Sequence, residues 1–444
     1  MKNSKVVNNN IEDVFPLSPL QEGMLFHNII NGCSSAYVVQ TAFAIETVLQ
    51  EEYLCEALKL LLKKYSVLRT NFFYEKIEKP RQIVLRDKEP DISFLNWSDS
   101  CETKVKKDFA ELLHKDVERG FDLRKDSLIR VKYVKLNDKS KLVFTLHHII
   151  IDGWCTSVLF EKFLYYYARL EKGELFESIL QEINAEKNNS HNYSEYIKWL
   201  QRQDQTKALE YWENELEGYD SDADIKAMSE PEPTEDQMRE LEGETDADTT
   251  EKIRKITEKN EATINVAAEI AVGILLQKYS GSKDVVFGKV VSGRNAPING
   301  IEDMVGLFVN TIPVRVIIDE KTTVSELIKT QQEKGTESTN YDYCSLADIQ
   351  SKTAQGSELI KVLYVFENYA SGAVKDAENA DSTIKVESAR EQTNYGITIS
   401  GFIKNGRLSF KIMYDPNKYC DNEIRLIMDR LLKICREMAE NPNG

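Results

Sequence analysis

Along this chain, stretches with an apolar residue at every second position alternate with stretches whose apolar residues recur every three or four positions. The first pattern belongs to a strand with a covered face, the second to a helix packed on something. In LIRVKYVKL (128–136), Ile129, Val131 and Tyr133 share one face and Arg130 and Lys132 the other, as in a half-buried strand. KLVFTL (141–146) is a short apolar run and reads as an inner strand. Beyond Gly153, Leu159, Phe163, Tyr166, Tyr167 and Leu170 fall at helical steps as far as Lys172-Gly173. Residues 263–279 (TINVAAEIAVGILLQKY) are apolar nearly all round and predict a buried helix.

VVFGKVV (285–291) and TIPVRVII (311–318) predict two strands. The second should begin late or lie at a sheet edge, because Pro313 has no N–H to donate. YGITISGF and LSFKIMY, joined by IKNGR, predict a hairpin turning on Asn405-Gly406. Asp421 is placed to cap a last helix with Ile424, Ile427, Met428, Leu431 and Cys435 along one stripe. A mixed α/β (α+β) chain follows, with a sheet in each half. At 444 residues it exceeds what one core usually serves, so two lobes are expected.

Charge narrows the function classes. The formal net charge of −16 argues against nucleic-acid binding driven by a positive field. Residues 217–251 hold 14 acids against Lys226 and Arg239, with Pro231 and Pro233 among them. They read as a solvated connection with little regular structure. No apolar run approaches a bilayer span, and the opening MKNSKVVNNNIEDVF lacks the core of a secretory signal. The seven cysteines (33, 55, 101, 155, 344, 420 and 435) are dispersed without CxxC spacing. Reduced thiols in a cytoplasmic protein are expected, with neither a disulfide framework nor a zinc site.

Most catalytic signatures are missing: no GxSxG, no GxxxxGK[ST], no GxGxxG and no HExxH. Of five histidines, two are adjacent, in LHHIIIDGWC (146–155), directly after the inner strand. On an extended strand His147 and His148 point to opposite faces, so one at most meets a given cleft. That divergence also speaks against a shared metal. Asp152 lies near the start of the next helix, where a carboxylate caps amides or pairs with a base. Gly153 leaves its N–H approachable, as an oxyanion donor requires. An imidazole beside it could take a proton from an amine or alcohol nucleophile. A buried histidine bonded to backbone explains the same letters, as does a core role for Trp154 and Cys155.

HHIIIDG (147–153) resembles the HHxxxDG motif of the condensation domains of non-ribosomal peptide synthetases, a family related to chloramphenicol acetyltransferase. Further matches run in the family's order: PLSPLQEGMLFHN (16–28), VLRTNF (67–72), RGFDLRKDSLIRV (119–131), and YSEYIKWL with ALEYW (193–200, 208–212). VSGRN (291–295), MVGLFVNTIPVR (304–315), VLYVFENYA (362–370) and EQTNYGITIS (391–400) complete them. The chain departs from the pattern at Lys64-Tyr65, where many relatives have Arg-His, at Ser127, and in the acidic stretch, which replaces a proline-rich one.

The resemblance implies two acetyltransferase-like lobes in a V-shaped pseudo-dimer, residues 1–180 carrying the motif and 181–444 forming the second. It implies a tunnel between them, entered by the phosphopantetheine arms of an upstream donor and a downstream acceptor carrier protein. The acceptor amine attacks the donor thioester to form a peptide bond, with no cofactor held by the domain itself and an adenylation domain as a neighbour. His148 would touch the amine, as base or as positioner, and Gly153 would face the oxyanion. His147 and Asp152 would be structural, with Arg294 pairing Asp152; loss of one partner of such a buried pair costs about 3–5 kcal/mol. Asn310 would line the tunnel or bond backbone, while Arg69 and Arg130 would be structural ion-pair partners.

Three other readings share the fold: an epimerisation domain, a silent carrier-binding recruitment module, and an acyltransferase using coenzyme A or a soluble amine. No GHGRE-like segment of the first is visible, and the histidine whose loss would mark the second is present. A heterocyclising relative would carry Asp in place of the histidines. Donor and acceptor identity are not written in any motif, and the ends of the chain suit a free-standing protein or a piece of a synthetase equally.

Overall fold

The computed structural model describes residues 10–31, 37–187, 192–234, 238–319, 321–367, 384–390 and 393–443. Cys33, His191, residues 235–237, 368–370 and 391–392 lie outside them, and with these the ends of two family-like segments. The chain runs through β1 (Ile11–Pro16), α1 (Pro19–Asn31), β2 (Val38–Ile45), α2 (Glu51–Lys64), β3 (Thr70–Phe73), β4 (Arg81–Leu85), β5 (Asp91–Asn96) and α3 (Glu102–Glu118). It continues through β6 (Ile129–Lys135), β7 (Ser140–His147), α4 (Gly153–Glu171), α5 (Phe176–Lys187), α6 (Tyr193–Leu200) and α7 (Gln205–Glu215). There follow β8 (Arg239–Glu244), α8 (Ala247–Lys259), α9 (Ile264–Ser280), β9 (Asp284–Val291), β10 (Asn310–Ile317), α10 (Val324–Ser338) and α11 (Leu346–Ser351). The last are β11 (Val362–Phe366), β12 (Ile384–Arg390), β13 (Ile397–Lys404), β14 (Arg407–Tyr414) and α12 (Asp421–Glu440).

Two units emerge. The first is drawn from residues 1–202, 294–308 and 372–392, the second from 203–293, 309–371 and 393–444. Residue 180 falls inside α5, so the first unit runs further along the chain than the lobe boundary expected there, and later segments return to it.

In the first unit a five-stranded sheet runs β12-β2-β7-β6-β5, and a smaller one β1-β4-β3. β7 is an inner strand, antiparallel to β2 on one side and β6 on the other. Val143 on β7 and Val134 on β6 face Phe109 of α3, while Phe144 turns to the other face and meets Phe163 of α4 edge-on. β6 departs from the alternation that predicted a polar face: Arg130 is only 1% exposed. Its guanidinium lies over the Phe121 ring, donates to the Asp116 and Gly120 carbonyls at 2.7 Å and pairs with the Asp116 carboxylate. Arg69 is equally buried, donating to the Leu62 carbonyl and paired with Glu12.

The second unit carries a six-stranded sheet, β10-β9-β11-β13-β14-β8. β10 is an edge strand, one of the two placements expected from Pro313, and α9 is buried along most of its length. Asn405 and Gly406 turn the β13–β14 hairpin at φ of 51° and 78°, in the left-handed region.

Two expectations are corrected here. The acidic stretch is not all irregular: its later part forms the edge strand β8 and the start of α8, capped by Asp246. The acids of β8 alternate, and Glu242 and Glu244 pair with Lys404 and Arg407 from the β13–β14 hairpin, so cross-strand attraction holds a strand that charge alone made look solvated. The cap of α12 is Cys420 rather than Asp421, in a capping box with Glu423. Asp421 instead accepts from Tyr414 and Arg239.

Candidate active site

β7 ends on His147, and the chain leaves the extended form one residue earlier than strand alternation alone would carry it. His148–Ile150 is a single 3₁₀ turn, followed by α4. His147 is fully buried, and its main-chain N–H donates to the Leu128 carbonyl. Its Nδ1 accepts from the Ile149 N–H at 3.1 Å, which leaves the ring proton on Nε2. Phe121 stands edge-on at 6.0 Å between centroids and Tyr37 at 6.4 Å, and Nε2 has no hydrogen-bond partner among the described residues. Burial, aided by the neighbouring His148, pushes this imidazole down to about 3, so it is neutral at working pH.

His148 opens the turn and is partly exposed. Its N–H donates to the Tyr37 carbonyl at 2.7 Å, and its own carbonyl accepts from Ile151. Tyr37 has φ of 63°, which costs a side-chain-bearing residue energy and aims that carbonyl at His148. One bond further on, the Ile149 carbonyl accepts from Gln21 Nε2 at 2.9 Å.

Asp152 caps α4, accepting from the Cys155 N–H at 3.3 Å. Arg294 Nη2 stands 3.2 Å from both carboxylate oxygens, and the Phe308 N–H donates to Oδ2 at 3.2 Å. The Asp152 N–H donates to the Gly306 carbonyl. Arg294 also donates to the Ile301 and Met304 carbonyls and lies over the Phe308 ring at 4.2 Å. A buried carboxylate satisfied on this many sides is an anchor, with little acceptor capacity left for a substrate. Gly153 follows as the first residue of a 19-residue helix, so its amide has no intrahelical acceptor and stands at the positive end of the helix dipole.

Some supporting groups are not signalled by motif spacing. The Cys155 sulfur stands 3.1 Å from Asp152 Oδ1 and 3.3 Å from Arg294 Nη2, and burial pushes its thiol well above the thiol range. Tyr193 donates to the Leu307 carbonyl at 2.7 Å and Tyr196 to that of Phe308, bracing the segment that carries Gly306. Gln21 is buried on α1 with Met24, Leu25 and Asn28, the stripe of a helix core face. A polar residue at the head of such a stripe is the signal that it has a partner inside.

The other candidates sit elsewhere. Asn310 opens β10, where its amide nitrogen donates to the Asp342 and Cys344 carbonyls, both at 2.8 Å. That nitrogen is therefore committed to backbone. Trp154, expected in the core, is 40% exposed, its indole N–H donating to the Glu302 carbonyl. Among the described residues no three His, Cys, Asp or Glu side chains gather as a metal site, and no helix is long and apolar enough to cross a membrane.

The model of the condensation-domain family matches residues 11–444. The chain is 32% identical over 436 residues to bacitracin synthase 1 of Bacillus licheniformis, covering 97% of this chain and 8% of that protein. It is 36% identical over 438 residues to tyrocidine synthase 3 of Brevibacillus parabrevis, covering 98% of this chain and 7% of that protein. The chain thus spans less than a tenth of the length of either relative. In fold it is similar to the condensation domain from Monacolin K polyketide synthase, with a TM-score of 0.71 at 16% identity, over 98% of this chain and 99% of that one.

Proposed function

The chain belongs to the condensation-domain family, and from that premise we propose that it forms a peptide bond by a specific transfer. An aminoacyl or peptidyl group passes from a thioester on an upstream carrier protein to the amine of an aminoacyl group on a downstream carrier. Both substrates arrive on phosphopantetheine arms, the domain holds no cofactor of its own, and an adenylation domain is an expected neighbour.

The observation that carries this reading is the build of the segment 147–153. Asp152 is locked by Arg294 and caps α4, so the turn beginning with His148 and the amide of Gly153 are held in one short stretch of rigid backbone. In the proposed step the acceptor nitrogen adds to the thioester carbonyl, whose oxygen gains the charge. Gly153 N–H, backed by the helix dipole, is placed to donate to that oxyanion. Collapse breaks the C–S bond and leaves the donor arm as a thiol, while the nitrogen loses one proton. His148 takes that proton and passes it to the leaving sulfur, or holds the amine while the proton moves to sulfur. His147 is too deeply buried, and its Nδ1 too committed, to serve. The unpaired thiols of Cys55, Cys101, Cys155, Cys344, Cys420 and Cys435 suit a reducing cytoplasm as the place of action.

The test is a single-turnover assay read by intact-protein mass spectrometry, with two carriers loaded with aminoacyl thioesters. Donor mass should appear on the acceptor carrier with wild type and be lost in a folded His148→Ala variant. Absence of transfer with several carrier pairs that bind measurably would count against condensation and favour a recruitment role. Transfer from a coenzyme A thioester alone would favour a soluble donor, and inversion of a carrier-bound α-carbon would favour epimerisation.

A further inference from the structure

Gln21 and Gln82 are completely buried carboxamides that face each other in the first unit. Gln82 Nε2 donates to Gln21 Oε1 at 2.9 Å and to the Pro16 carbonyl at 2.8 Å. The Ser18 N–H donates to the same Gln21 Oε1 at 2.9 Å. These bonds fix the plane of the Gln21 amide, and they settle which end is oxygen. The nitrogen is then the donor end, and it gives its shorter bond to the Ile149 carbonyl at 2.9 Å and a longer one to Gln82 Oε1 at 3.4 Å.

Two buried amides are costly to desolvate and are retained where their bonds do something an apolar pair could not. Packing α1 against β4 needs no amide, since Met24 and Leu25 already bury the same helix face. What only the amide supplies is a donor aimed at the 3₁₀ turn. The turn is otherwise held by the Tyr37 carbonyl on the His148 N–H and by the His147 ring on the Ile149 N–H. Gln21 adds a bond to the next peptide group, the one that carries the Ile149 carbonyl, so Ile149 is held at its N–H by the His147 ring and at its carbonyl by Gln21.

We propose that Gln21, itself oriented by Gln82, is a positioning residue for His148: it clamps the 3₁₀ turn and thereby sets where the imidazole stands. The role rests on His148 being the residue that meets the acceptor amine. The general scale of such effects is large, a 1 Å displacement at a reacting group costing on the order of 100-fold.

Gln21→Glu is the discriminating variant. It keeps the volume and both acceptor bonds, and once ionised it has no hydrogen for the Ile149 carbonyl; burial raises the pH at which it ionises, so both readouts are taken up to about pH 9. Gln331→Leu is the matched control, a buried glutamine of the second unit bonded to Glu269 and unconnected with the turn. The intact chain would be labelled with ¹³C-histidine, its His148 signal assigned with His148→Gln, and the single-turnover transfer rate measured beside it. In Gln21→Glu the His148 signal should move and transfer should slow on the order of 10- to 100-fold with little change in carrier affinity. In Gln331→Leu stability should fall and neither readout should change. A His148 signal that superimposes on wild type, with transfer within about twofold, would overturn the clamp. If Gln21→Glu does not fold, Gln82→Met is read instead, since it leaves Gln21 with Ser18 alone to aim it. Absence of transfer in wild type would strike at the proposed reaction, while the histidine spectra would still decide the clamp.

Discussion

His147 ties the candidate site to the stability of the whole unit through its proton. Its imidazole, ordinarily near 6.5, is pushed down to about 3 by burial and by His148 beside it. An unfolded chain takes up a proton below about 6.5 that the folded chain refuses, so stability is full above that value and declines as the pH falls toward 3. His27, also lowered by burial, acts in the same direction. Between pH 7 and pH 5, urea unfolding of wild type should lose about 2 kcal/mol to His147. His147→Asn, whose Oδ1 can accept from Ile149 but does not titrate, should lose that much less over the same interval. Equal losses in the two proteins would mean that His147 is not held neutral. At this scale the histidines, Asp152 and Gly153 were readable because they stand within seven letters. The carbonyl of Gly306 and the N–H of Phe308 were not, since backbone groups have no letter of their own. Arg294 reaches Asp152 from 142 positions away, beyond any periodicity, and came only through family likeness.

Elements were legible where their period was clean. The β13–β14 hairpin follows from alternation and Asn405-Gly406, and the edge position of β10 is one of the two placements expected from Pro313. β8 was lost because acidic composition outweighed its own alternation, whose meaning depends on the bases Lys404 and Arg407 across the hairpin. Alternation alone puts Arg130 on a polar face, because the sequence does not say that the end of α3 covers it. Helix α6 offers a test at this level. A Cβ on Gly306 would come within 2.2 Å of the Tyr193 ring, so the segment 304–308 can lie on α6 only with glycine there. Gly306→Ala should destabilise the chain by about 1–3 kcal/mol, as overpacking does. Chemical denaturation checks it, and a loss under about 0.5 kcal/mol, ordinary for a surface change, would mean that α6 yields freely.

For the molecule as a whole, the first unit cannot be made from the first part of the chain. Residues 1–202 contain its helices and seven strands, but Arg294, Gly306 and Phe308 around Asp152, and β12 on the open edge of β2, come from further on. A fragment of residues 1–202 would lack both the counter-charge and the cover of Asp152, and the strand that pairs with β2, so it would lose contacts worth a large share of a typical total of about 5–15 kcal/mol. It should show no cooperative urea transition, whereas one with the steepness of a 200-residue domain would show that the later segments are dispensable. The same dependence has a consequence during synthesis. Arg294 leaves the ribosome 142 residues after Asp152, which at ordinary elongation rates is about 7–30 s. Through that interval the nascent chain carries the Asp152 carboxylate without Arg294, so the candidate site closes only after the segment 294–308 has been made.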